Sequence, residues 1–176
     1  MIIVAGPRES GKTTLANTLA LALDLPIYDY SAQLQAQGKF DVQAIIQSVR
    51  DWPYTTFGIY DDHPFISEYV YGPLDRQGIL PDFHSSEIKP IIQYLWDTAV
   101  IIYCRPNYLA LDDPARRAYD LLFSTPLLPA RVLPYDYTQQ HDLYHLMSTL
   151  RALQQSMMLD RHHVLNGHRR RLWGRK

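Results

Sequence analysis

Cysteine is nearly absent from this chain of 176 residues, which contains only Cys104. A single cysteine excludes a disulfide within the chain and any zinc site built from several cysteines. The shortage is typical of a reducing compartment, and because an apolar run begins at residue 1 we expect no signal peptide. We therefore expect a cytoplasmic protein.

Long apolar runs are also missing, since no stretch approaches the roughly 18 apolar residues that a membrane-spanning helix needs. We therefore expect no membrane partner. Hydrophobic residues still make up 47 % of the chain and charged residues 20 %, a balance that can bury a core and argues against disorder. The length predicts a single domain.

Acidic residues are absent after Asp160. Residues 161–176 carry six cations, so residues 1–160 must carry −7 for the whole chain to reach its net charge of −1. We therefore separate a domain, 1–160, from a basic C-terminal tail, 161–176. Such a tail can bind nucleic acid, but a short solvated tail is the interpretation that we favour, and a homodimer is left open.

The chain opens on an apolar run that leads directly into a glycine-containing turn. The turn matches the pattern G-x-x-x-x-G-K-[ST], in which two glycines let backbone N–H groups converge on an anion. An apolar-periodic helix, 12–23, follows the turn and adds the positive end of its dipole. The sequence therefore predicts a nucleoside triphosphate site made by Gly6, Glu9, Ser10, Gly11, Lys12, Thr13 and Thr14.

Three side chains are assigned roles at this site. We expect Lys12 to reach the β- and γ-phosphates and the Thr13 hydroxyl to hold Mg²⁺. Asp61 follows another predicted strand and would share the magnesium site, although an aspartate there is also a good helix N-cap. ATP and Mg²⁺ are thus the expected cofactors.

Strand and helix patterns alternate along the chain, which predicts an α/β fold of three layers: a five-stranded, mostly parallel sheet with helices on both faces. We expect the helix that begins near Phe65 to stop at Gly72 and Pro73, and Pro90 to start or kink another helix. The predicted strands are 1–5, 25–29, 55–60, 99–104 and 131–136. The predicted helices are 12–23, 40–50, 65–71, 85–96, 114–123 and 138–159.

Phosphoryl transfer spreads negative charge over the transferred group, so arginines at the carboxyl ends of the strands are candidate catalytic residues. Arg8 lies in the phosphate-binding loop, and Arg105 follows the fourth strand. Arg116 and Arg117 lie one turn into the next helix, where the segment 105–125 suits a mobile lid. A solvated helix face is the other interpretation of these last two arginines.

The loop, the order of elements and the segment Tyr60–Gly72 resemble thymidylate kinases and related deoxynucleoside monophosphate kinases, particularly the small phage-type members. The resemblance covers about residues 1–138. It implies the P-loop NTPase fold, ATP and Mg²⁺ at the loop, and a nucleoside monophosphate as the second substrate. Our candidates for binding that substrate, from the resemblance and from the strand ends, are Asp29, His63, Ser67, Glu68 and Tyr69.

One residue departs from the family pattern: Asp62 stands where the family has an arginine that clamps phosphate. Either another arginine replaces it (Arg50, Arg76 or Arg105), or the acceptor is unusual, or activity is weak. A monophosphate kinase is the favoured interpretation. The alternatives are a kinase of a nucleoside or polynucleotide 5′-hydroxyl, with Asp29 or Asp61 as the base, and a nucleotide-binding regulatory module that does not turn over.

Overall fold

The structure is a computed structural model, and it describes residues 1–29, 57–75, 89–107, 112–124, 131–139 and 141–153, together with residues 47, 50, 51 and 155. The chain divides into two compact units, Met1–Thr138 and Gln139–Lys176. The predicted tail, Arg76 and most of the predicted helix 40–50 lie outside the described residues. Within the described part of the chain, no helix is long and apolar enough to cross a membrane.

The first unit is built on a five-stranded sheet in the order β2-β3-β1-β4-β5, with every neighbouring pair parallel. This confirms the predicted α/β sheet. Strand β1 lies at the centre and is buried along its length, as a strand covered on both faces should be. The strands are β1 (Ile2–Ala5), β2 (Ile27–Asp29), β3 (Ile59–Asp61), β4 (Val100–Cys104) and β5 (Arg131–Tyr135).

Helices cover both faces of this sheet, which gives the three predicted layers. Helix α1 packs on one face through Leu15, Leu19 and Leu23. On the other face, α2, α3 and α4 enclose a core with alternate residues of the central strands, such as Ile3 and Ile101. These helices are α1 (Lys12–Leu23), α2 (Pro64–Asp75), α3 (Lys89–Thr98) and α4 (Pro114–Ser124). In the second unit, residues 142–153 are helical.

Helix α2 does not stop at Gly72 and Pro73, so the prediction of its end was wrong. The helix continues to Asp75 with Pro73 inside it, although a proline cannot donate the helical hydrogen bond and costs about 3 kcal/mol. Phe65 and Val70 are buried in the core, and each such side chain contributes about 2 kcal/mol. Burial of the whole helix face therefore outweighs the local stop signal.

Two further prolines in regular elements, Pro90 and Pro134, lie where their missing N–H is tolerated. Pro90 is in the first turn of α3, and Pro134 is in β5, an edge strand. Helix α4 begins at Pro114, as predicted, because Asp113 caps it: the Arg116 backbone N–H donates to Asp113 Oδ1 at 2.7 Å.

Candidate functional site

Two glycines shape the turn after β1, because a side chain at either position would meet a neighbouring group. A Cβ on Gly6 would lie 2.5 Å from the carbonyl oxygen of Cys104, and one on Gly11 would lie 3.1 Å from the ring of Tyr137. Gly11 has φ of 80°, and Glu9 between them is also left-handed, with φ of 64°. No side chain caps the start of α1, and the backbone N–H groups of such a turn and helix start form a nest that can bind an anion.

Lys12, Thr13 and Asp61 come together beside this nest. The Lys12 ammonium donates to the carbonyl of Pro7 at 2.9 Å, and the Thr13 side chain lies beside the Asp61 carboxylate and lowers its pKa. Burial raises the pKa of Asp61, and the nearby Asp29 carboxylate raises it further, while Thr13 and Lys12 act in the opposite direction. The site thus holds one carboxylate, one hydroxyl and one cation within reach of the loop.

The donor set formed by Thr13 and Asp61 fits Mg²⁺, which prefers hard oxygen ligands and retains waters and phosphate oxygens as the rest of its shell. The register of β2 and β3 also pairs the exposed Asp29 with Asp61. Among the described residues, no group of three or more His, Cys, Asp or Glu side chains could enclose an ion by itself.

Asp62, the departure from the family pattern, is buried with φ of 70°. Its Oδ1 accepts the His63 N–H at 2.9 Å, and the Ser67 side chain lies beside the same carboxyl and lowers its pKa. Burial raises the pKa of Asp62 to about 6, against the opposing charge of Lys12. The cation that acts on Asp62 is therefore Lys12. Arg105, one of the predicted replacements for the missing arginine, pairs with a different acidic residue.

His63 is fully buried next to Asp62, and its Nδ1 accepts the Phe65 N–H at 3.2 Å at the start of α2. Burial lowers the pKa of His63 to about 3, so this imidazole is neutral at pH 7. Through this hydrogen bond, His63 caps the start of α2.

We expect Asp62→Asn to change the pH dependence of stability. The folded-state pKa of Asp62 is raised, so protonation of this group stabilises the fold. Its contribution to the free energy of unfolding is fully present below pH 3.8 and is lost as the pH rises through about 6. Asparagine tolerates the left-handed backbone and does not titrate. The free energy of unfolding of the variant minus that of the parent should therefore shrink by about 1.4 kcal/mol per pH unit between pH 6 and 4.

Urea unfolding of both proteins at pH 4, 5, 6 and 7 measures this difference. The titration of His63 does not contribute to the difference, because it affects both proteins equally. The His63 pKa is depressed, so its contribution is present above pH 6.5 and is lost in both proteins as the pH falls. A difference that stays constant across the range would contradict the prediction.

The predicted acceptor residues differ in accessibility. On α2, Ser67 is half-buried beside Asp62, Glu68 is buried, and Tyr69 is 41 % exposed. The Tyr69 ring lies 6.0 Å from that of Phe65. Tyr69 is therefore the accessible aromatic surface of this helix.

The arginines fall into two groups. Arg105 donates from Nε and Nη2 to the two oxygens of Asp120, at 2.7 and 2.9 Å, and Tyr103 donates to the same carboxylate at 2.8 Å. Arg116 is buried with its Nε 3.9 Å from Asp120, whereas Arg117 is exposed. Burial would raise the pKa of Asp120, but hydrogen bonds from Arg105 and Tyr103 outweigh it and hold that pKa below its ordinary value.

Arg8 points away from this group, toward α2. Its Nη2 pairs with Asp75 at 2.8 Å, and its backbone N–H donates to the Tyr71 hydroxyl at 2.8 Å. The structure thus brings Arg105 and Arg116 together at Asp120 and leaves Arg8 and Arg117 outside that cluster.

Sequence reasoning missed two residues of the site. Asp120 lies four residues after Arg116 on one helix, an acid–base spacing that could have revealed the pair. Tyr137, whose ring lies against Gly11, gives no such signal because it is in a loop. That loop is fixed by Asp136, which accepts the N–H groups of Asn107 at 3.2 Å and Thr138 at 2.9 Å.

No protein-family model matches the chain, and no curated protein sequence matches it. Among solved structures, the fold is similar to that of the YorR protein from Bacillus subtilis, crystallised in complex with phosphorylated GDP. The TM-score is 0.61, with 16 % identity over 88 % of this chain and 97 % of that one. A likeness at this identity shows the fold alone, an α/β fold with a parallel sheet between layers of helices.

Proposed function

We propose that this protein transfers the γ-phosphoryl group of ATP to a nucleoside monophosphate and forms the diphosphate. The observation that carries the proposal is the placement of Asp61 beside Thr13 and Lys12, at a loop whose two glycines allow the tight turn that its backbone makes. The phosphorylated GDP bound to YorR supports a nucleotide ligand for this fold. The resemblance to monophosphate kinases supplies the acceptor class.

The loop residues would act on the phosphates directly. The N–H groups at the start of α1 bind phosphate oxygens, and Lys12 exchanges the Pro7 carbonyl for the β- and γ-phosphates. Thr13 and Asp61 would hold Mg²⁺. When bound, this ion supplies positive charge to the phosphate oxygens.

The transfer itself is a displacement at phosphorus. An oxygen of the acceptor phosphate bonds to the γ-phosphorus while the bond from that phosphorus to the β–γ bridging oxygen breaks, and ADP leaves with that oxygen. The acceptor oxygen already carries charge, so no general base is required. Arg105 and Arg116, held in place by Asp120, would neutralise charge on the transferred group.

The acceptor would lie between the end of β3 and α2, where Ser67, Glu68 and Tyr69 follow one another. Tyr69 offers a ring on which a base can stack. Asp29, at the end of the edge strand, would contact the same substrate. These assignments follow from the position of each residue beyond the carboxyl ends of the strands.

A second candidate is a kinase of a hydroxyl acceptor, and Asp62 favours it. A buried carboxyl beside Asp61 repels an anionic acceptor phosphate, whereas a neutral hydroxyl carries no such penalty. A hydroxyl acceptor needs a carboxylate to take its proton, and Asp29 or Asp61 would serve.

A screen of acceptors with ATP and Mg²⁺ tests the proposal. The panel contains every common ribo- and deoxynucleoside monophosphate, the matching nucleosides, and an oligonucleotide with a 5′-hydroxyl. We expect a diphosphate product from at least one monophosphate, and none from Lys12→Ala prepared in parallel as the control for contaminating kinases. Transfer to hydroxyls alone would favour the second candidate, and ATP binding without any transfer would favour a regulatory module.

A further inference from the structure

Arg8 is held against α2 although it belongs to the phosphate-binding loop. Its guanidinium carbon lies 4.6 Å from the centroid of the Tyr71 ring, and its Nη2 lies 2.8 Å from Asp75 Oδ2. Its backbone N–H donates to the Tyr71 hydroxyl at 2.8 Å. Tyr71 therefore contacts both the backbone and the side chain of Arg8, while Asp75 contacts the charged end alone.

The ion pair between Arg8 and Asp75 is weak enough to break during binding. The side chains are 71 % and 49 % exposed, and exposed pairs contribute little because each charge keeps most of its water. A terminal phosphate offers more negative charge than a carboxylate and matches the planar guanidinium with two parallel hydrogen bonds. A phosphate that reaches the loop therefore competes favourably for the Arg8 side chain.

We infer that Asp75 holds the Arg8 guanidinium away from the phosphates until a nucleoside triphosphate binds, and that Arg8 then exchanges Asp75 for the γ-phosphate. The inference rests on the proposed function, because it requires a triphosphate in the loop. Asp75 is a positioning residue that competes with the γ-phosphate. Tyr71 keeps its bond to the Arg8 backbone and fixes the point about which the side chain turns.

The test is the affinity of Asp75→Asn for two nucleotides, AMP-PNP with Mg²⁺ and ADP with Mg²⁺, measured by isothermal titration calorimetry. Without its competitor, Arg8 is available to the γ-phosphate from the start. We expect AMP-PNP to bind about two- to fivefold more tightly than to the parent, the range set by an exposed ion pair. ADP lacks the γ-phosphate, so its affinity should not change. Structural damage would weaken binding, whereas the expected change is a gain.

Two further variants isolate the cause. In the double variant Arg8→Gln/Asp75→Asn the gain should vanish, because the side chain that Asp75 restrains is gone. Asp97→Asn removes an exposed acid from α3, where it accepts a bond from Gln93, and so controls for the change in net charge. It should leave the ratio of the two affinities unaltered.

Each other outcome overturns the inference. An unchanged or lower AMP-PNP affinity in Asp75→Asn, an equal gain for ADP, or a gain that survives Arg8→Gln would each show that Asp75 does not compete with the γ-phosphate. In those cases the parent still binds AMP-PNP and the proposed function stands. A parent protein that binds neither nucleotide would overturn both.

Discussion

Asp61→Asn should lower kcat/KM for phosphoryl transfer by about a hundredfold, the usual cost of removing one charged group that acts on the transferred phosphate. Asparagine keeps the size of the side chain and an oxygen that can accept the Thr13 hydroxyl. The substitution removes the negative charge that would attract Mg²⁺. The measurement is a steady-state assay on the acceptor found in the screen.

The stability of Asp61→Asn should not fall with its activity. Burial raises the pKa of Asp61, so its charged form is disfavoured in the fold. Urea unfolding at pH 7 should find Asp61→Asn at least as stable as the parent. Asp24→Asn is the matched control, since Asp24 is an exposed left-handed residue at the end of α1. Activity of Asp61→Asn within about threefold of this control would remove Asp61 from the site.

Gly6→Ala should destabilise the protein by about 3 kcal/mol and abolish nucleotide binding. The new Cβ would lie 2.5 Å from the Cys104 carbonyl oxygen. Gly6 follows β1, and Cys104 ends β4, its hydrogen-bonded neighbour. Neither backbone can yield without disturbing the centre of the sheet, and the loop would be displaced with it.

Gly11→Ala is the comparison for Gly6→Ala, because it changes the other end of the same loop. Its Cβ would meet the ring of Tyr137, a half-exposed side chain that can turn aside. The left-handed backbone at Gly11 still costs about 1 kcal/mol. Urea unfolding should therefore rank Gly6→Ala as the less stable variant by about 2 kcal/mol, and the reverse order would contradict the steric argument.

The sequence was most informative where a local pattern determines a structure. The phosphate-binding motif placed α1 at residues 12–23, and the bounds are Lys12–Leu23. The predicted helix 114–123 likewise begins where it was expected, because an N-cap and a proline at the first helical position act within one turn. The apolar run at 99–104 identified β4 for the same reason.

Local patterns failed where distant residues decide. The Gly72-Pro73 pair predicts a stop, but the buried face of α2 depends on strands and helices far along the chain. The orientation of Arg8 was equally out of reach, since Tyr71 and Asp75 lie 63 and 67 residues away in sequence. The same limit applies to Tyr137, which meets Gly11 only in the folded chain.

Our central claim is that the turn after β1 binds the phosphates of a nucleoside triphosphate through its backbone and Lys12. Isothermal titration of ATP with Mg²⁺ into the parent and Lys12→Ala, with turnover measured on the same preparations, tests it most directly. We expect binding by the parent and a loss of about a hundredfold or more in affinity or turnover in the variant. Equal affinity and equal turnover in the two proteins would contradict the claim.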